Sequence, residues 1–240
     1  MLGFGFGVGL GLGGIMTRLT FPVLAIGFAS VLAAQPPSLP PPFPRQNATK
    51  LLETNRIVVW DIVWPKGQPT AMHRHPHDQV GTYYARGGRL ITQPDGTKRE
   101  GMTEVGNLST TRKGTTHIEE GATDPPLRAV FIELLEDKGP ATPAPDTSAL
   151  AEKAPKPTYD DDRVTVWDLK WESGSGALKY HASRDTVIVF LDSGKVRNVG
   201  GKTPAVEDVK AGMMRYLAHD SAETLEMVDG APRTMFFELK

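Results

Sequence analysis

The chain has 240 residues, a formal net charge of −1 and no cysteine. That length suits one large or two small domains, and the near-neutral charge argues against nucleic acid as the main partner. Without thiols there is no disulfide framework and no thiolate metal site, so nitrogen and oxygen would hold any bound metal.

Residues 1–44 hold a single charge, Arg18. Met16, Thr17 and Arg18 lead an apolar run from Leu19 to Ala34, with Val31 and Ala33 as the small residues a signal peptidase reads. The pattern predicts a secretory signal peptide over 1–34, cleaved near Ala33 or Ala34, and a periplasmic or secreted protein. The Gly-rich first fifteen residues sit oddly before that signature, which makes Met16 the better start. The run is short for a span of about 20 residues, so no stable membrane span is expected after cleavage. Proline then dominates to Pro44. Fixed φ and missing donors exclude helix and sheet, and residues 35–48 read as a stiff linker acting as a spacer.

From Asn55 the chain reads as strand. Residues 55–64 (NRIVVWDIVW) return as 162–171 (DRVTVWDLKW), and 128–134 (RAVFIEL) return as 233–239 (RTMFFEL), at nearly the same separation. That is an internal duplication. Short strand-like runs separated by Gly and Pro fill each copy, for example 80–85, 89–92 and 186–191, with no long amphipathic helix. They predict an all-β jelly roll in each half, at 49–137 and 159–240. The join at 138–158 is rich in Pro, Ala and Thr, with a helical turn at 148–153.

Within the first half, residues 67–79 (GQPTAMHRHPHDQ) place three of the six histidines at alternate positions. In an extended strand His73 and His75 point to one face, and Gln79 can join them after a turn at Pro76. His117 lies in KGTTH, just before a strand-like run. Three imidazoles from two strands can bind a divalent transition metal. His77 shares the parity of His73 but follows the strand-breaking Pro76, and reads as a rim residue.

These two stretches resemble the cupins, small β-barrels marked by two motifs. The first is a glycine, five residues, His-x-His, three residues and a glutamate. Gly67, His73, His75 and Gln79 stand at those places, with an amide where the family has a carboxylate and the closing glycine shifted to Gly87. The second is a glycine, five residues, Pro-x-Gly, two residues and a histidine, matched by Gly106, Gly114 and His117, with Arg112 in the proline place. The resemblance implies metal ligation by His73, His75 and His117, with Gln79 fourth. With the duplication it implies two tandem jelly-roll (cupin) barrels. It implies one divalent transition metal, Fe, Mn, Ni, Cu or Zn, among which the ligand list does not choose. A homodimer is compatible with this plan.

Laying the second copy on the first without gaps puts Tyr180 at His73, Ala182 at His75 and Thr186 at Gln79. Matching Gly212 to Gly106 puts Glu223 at His117. His181 is one residue out of phase and should face the other way. The second barrel is therefore expected to be metal-free and to shape the first.

Three neutral imidazoles and an amide would leave the cation its full charge, favouring a small anionic substrate such as an enolate or carboxylate. Two further candidates follow from strand parity. Tyr83 shares a face with Gln79 and offers a phenol, against core packing. Glu119, two beyond His117, offers a carboxylate as fifth ligand or general base, against a solvated strand end. Arg112 reads as a solvated rim residue, and the tryptophans at 60, 64, 167 and 171 as scaffold. Family analogy puts a metal-dependent oxygenase on an enolisable, phenolic or carboxylate compound first. A non-redox isomerase or lyase, and a non-catalytic binding barrel, are the alternatives.

Overall fold

The computed structural model describes residues 38–135, 150–151, 153–154, 156–172, 176–198, 205–230 and 232–240. The stretch 1–34 expected to be an export signal, residues 35–37 and most of the 138–158 join lie outside them. Among the described residues no helix is long and apolar enough to cross a membrane.

The first half runs β1 (Ala48–Glu53), β2 (Ile57–Trp64), β3 (His73–Arg74), β4 (Asp78–Ala85), β5 (Gly87–Thr92), β6 (Lys98–Thr103), β7 (Leu108–Thr111), β8 (Thr116–Gly121) and β9 (Leu127–Leu134). Two sheets form from them, ordered β1-β2-β9-β4-β7 and β3-β8-β5-β6. The second half repeats the plan with β10 (Tyr159–Asp160), β11 (Val164–Lys170), β12 (Leu178–His181), β13 (Thr186–Phe190), β14 (Gly194–Asn198), β15 (Ala205–Val209), β16 (Met214–Leu217), β17 (Ala222–Asp229) and β18 (Arg233–Leu239). Its sheets are β10-β11-β18-β13-β16 and β12-β17-β14-β15. The fold is all-β: two tandem jelly-roll barrels.

The duplicated Trp-Asp segments are β2 and β11, each paired along its length with the other duplicated segment, β9 and β18. They do not alternate between core and water as half-exposed strands do. In β2, Val58, Trp60, Ile62 and Trp64 fill the first barrel, while Ile57 and Val59 enter a second core. That core lies between the barrels, where Val80, Val130 and Ile132 meet Val164, Val187, Met235 and Phe237. The central strands of the two five-stranded sheets, β2, β4 and β9 in one and β11, β13 and β18 in the other, are thus buried on both faces.

The same seam is reciprocal, as a duplicated chain allows. Arg56 of the first barrel reaches Asp185 at 2.8 Å and the Lys240 carbonyl at 2.9 Å. Arg163, its counterpart, reaches Asp78 at 3.6 Å and the Leu135 carbonyl at 2.6 Å. Gly106 and Gly212 match likewise. Both have φ above +80°, and a Cβ would lie 2.4 Å from Arg233 at Gly106 and 2.6 Å from Tyr84 at Gly212. Arg112 is exposed at this seam, near Asp78 and Asp161.

Two connecting segments are more than spacers. The described end of the 138–158 join makes a helical turn, Ala154 N–H donating to the Leu150 carbonyl at 2.7 Å, and Leu150 is fully buried in the second barrel's core. The Pro-rich segment is built into the first barrel from Pro40 onward. The Arg74 N–H donates to the Pro40 carbonyl at 2.9 Å, and Phe43 stacks on Trp60 at 4.6 Å. Proline removes donors but leaves carbonyls to accept, and the aromatic between prolines supplies the burial.

Candidate metal centre

Strand pairing brings the histidines together. His73 on β3 lies opposite His117 on β8. His75 continues the pairing: its N–H donates to the Thr115 carbonyl at 2.9 Å, and its carbonyl accepts from the Gly114 N–H at 2.8 Å. The turn before β8 needs Gly114, whose φ is +87°, a conformation costly for a side chain with a Cβ.

The three imidazoles are buried, and one ligand nitrogen from each falls within 4.8 Å of the others. His75 Nε2 and His117 Nε2 face each other at 3.2 Å. His73 Nδ1 bonds the Ala71 carbonyl at 3.0 Å, which assigns the proton to Nδ1 and the lone pair to Nε2. That Nε2 is buried without a hydrogen-bond partner. Burial holds all three imidazoles below the usual histidine range, and His75, pressed also by His117, falls to about 4. They are neutral at pH 7, with lone pairs available to a cation. A buried imidazole nitrogen that answers to no protein partner, His73 Nε2, beside two others facing each other, fits a metal.

Gln79 sits on the interior face of β4 with Gly81 and Tyr83, 4% exposed, its Nε2 also unpartnered. An amide flip would present the oxygen instead. Tyr83 is packed in the interior, against Trp64 and Phe131 at ring distances of 6.1 and 5.6 Å, and burial raises its phenol.

Glu119 is not a solvated strand end. It is buried on β8, 3.8 Å from His117 Nε2. Arg89 Nη1 donates to Oε1 at 2.7 Å, while Arg45 Nη2 and Trp64 Nε1 each donate to Oε2 at 3.2 Å. Burial pushes its carboxyl up, but the Arg89 and Arg45 guanidiniums outweigh that and hold it down near 2. Both guanidiniums lie over the Trp64 ring. Nothing in the sequence marked Arg45, which comes from the Pro-rich segment, or Arg89, one residue of a β5 run that otherwise reads as plain strand.

Glu133 was also missed as an interior carboxylate. It accepts from Trp60 Nε1 at 2.8 Å. Its repeat, Glu238, accepts from Trp167 Nε1 at 2.7 Å. A pair present in both barrels belongs to the shared scaffold.

The second barrel keeps the same frame with other side chains. Tyr180 lies opposite Glu223 as His73 lies opposite His117. Tyr180 bonds Thr186 and Glu238, each at 2.9 Å. Glu223 accepts from Asn198 at 3.0 Å and from Arg215. His181 faces outward and is exposed.

Comparison with protein-family models and with curated proteins finds no match. Among solved structures the chain is similar to AerE from Microcystis aeruginosa, with a TM-score of 0.60 and 11% identity over 85% of this chain and 99% of that one. It is similar also to a cupin 2 conserved barrel domain protein from Leptotrichia buccalis, with a TM-score of 0.53 and 13% identity over 80% of this chain and 88% of that one. At such identities the likeness concerns the fold, which is that of cupin barrels.

Proposed function

We propose that the first barrel holds one divalent transition metal on His73, His75 and His117, with Gln79 completing the set. We further propose that the protein is an oxygenase-type enzyme acting on a small anionic compound, enolisable, phenolic or carboxylate. The observation that carries the metal reading is the buried triad with ligand nitrogens within 4.8 Å and an unpartnered His73 Nε2. A bound metal of this class would supply Lewis acidity and, for iron, copper or nickel, redox chemistry with oxygen.

The chain's own residues hold and shield that site. The Ala71 carbonyl fixes the His73 tautomer, and the Trp64, Tyr83 and Phe131 layer keeps water from the interior. Glu119 accepts from Arg89, Arg45 and Trp64, and the two guanidiniums hold its carboxyl near 2, which makes it a weak base toward a substrate proton. An isomerase or lyase that drew its base from Glu119 is disfavoured on that ground, and oxygen chemistry is the reading we put first. The second barrel, by this reading, carries no metal and braces the first across the shared core. Export rests on the apolar run from Leu19 to Ala34.

The test is oxygen uptake by iron-loaded protein against a panel of small enolisable and phenolic acids. Uptake that depends on both substrate and His75 is expected. Turnover by zinc- or manganese-loaded protein without oxygen uptake would contradict the oxygenase assignment.

A further inference from the structure

The Pro-rich segment enters the first barrel where the histidines converge. Three points hold it. The Pro40 carbonyl accepts from Arg74 N–H, beside His73. Phe43, 7% exposed, stacks on Trp60 inside the barrel. Arg45 reaches Glu119, two residues from His117. Asn47 then ties the segment back, its carbonyl accepting from the Val63 N–H at 2.8 Å and its amide donating to Gln68 at 3.1 Å.

Between this segment and the barrel lies a cavity of about 330 Å³. Pro40, Pro41, Pro44 and Arg45 wall one side, Trp64 and His73 the other. The cavity therefore borders a candidate metal ligand directly, and about half of its lining residues belong to the Pro-rich segment.

We propose that residues 40–47 are a strap that walls the approach to His73 and selects the molecules that reach it, with Phe43 as anchor and Arg45 as latch. The wall has flat apolar surfaces, the proline rings and the Trp64 indole. It also carries the Arg45 guanidinium, whose carboxylate partner Glu119 is shared with Arg89. A compact flat molecule with one acidic group fits that combination. This names the substrate class of the site described above, and to that extent rests on the metal reading; the strap itself does not.

The test is carbethoxylation of the metal-free protein by diethyl pyrocarbonate, read residue by residue by mass spectrometry. His181, exposed on the far barrel, is the internal reference. In the wild type, His73 should react far more slowly than His181. In Phe43→Ala the His73 rate should rise about tenfold or more, as the strap opens more often, with His181 unchanged. Arg45→Ala keeps the buried aromatic and should give a smaller rise in the same direction, with circular dichroism confirming the fold. A His73 rate equal in wild type and both variants would overturn the strap. Benzoate should slow the His73 reaction in the wild type more than the same concentration of benzamide. Equal effects, or none from benzoate, would overturn the ligand class. None of these readings needs metal, so a protein that bound none would refute the metal centre and still decide the strap.

Discussion

Glu119 holds two arginines inside the first barrel. With Arg45, Arg89 and Trp64 it forms a buried cluster beside His117. Removing one member of a buried charge pair leaves the rest uncompensated. Glu119→Ala should therefore destabilise by about 3 kcal/mol, measured by denaturant unfolding, more than an exposed glutamate would. Gln79 has the opposite prospect. Its amide nitrogen is buried without a partner, and if Gln79 completes the ligand set as proposed, Gln79→Glu adds a negative donor to it. Divalent metal should bind about tenfold more tightly by calorimetry, since one more charged ligand is worth at least 1.4 kcal/mol at this burial. Weaker binding would place Gln79 outside the ligand set.

At the scale of elements, the parts legible in the sequence are those with period-two geometry. The His-x-His spacing put two imidazoles on one face, and the structure sets β3 against β8 as that requires. The duplicated Trp-Asp segments marked β2 and β11 as equivalent strands. What was not legible depends on tertiary partners. β2 reads as strand from its own residues, but nothing in them says that the second core covering Ile57 and Val59 is shared with the other barrel. Residues 40–47 look like a spacer because proline density dominates the reading, while the decisive residue is the single Phe43 among the prolines. Phe43→Ala should cost about 3 kcal/mol by thermal or denaturant unfolding, as for other buried aromatics. A change near zero would mean that the strap carries little of the barrel's stability.

Across the whole molecule, one chain builds a reciprocal seam between its two barrels. Arg56 and Asp185 anchor one end of it. Burial pushes Asp185 up, but the His219 N–H and Arg56 outweigh it and hold the carboxyl below its usual value. A carboxylate lowered on folding stabilises above its unfolded pKa, and that contribution is lost as pH falls through the folded one. The seam should therefore be indifferent between pH 7 and 5 and weaken below about pH 4. The thermal midpoint should fall more steeply there in the wild type than in Asp185→Asn. Arg56→Ala should lower stability by about 2 kcal/mol at pH 7, as for hydrogen bonds to charged groups.

The duplicated frame with different side chains makes one central claim: a single metal, in the first barrel. Its most direct measurement is elemental analysis of the purified protein beside His75→Ala and His181→Ala. The account predicts one equivalent of transition metal in the wild type and in His181→Ala, and none in a folded His75→Ala. Metal retained by His75→Ala, or lost from His181→Ala, would contradict it.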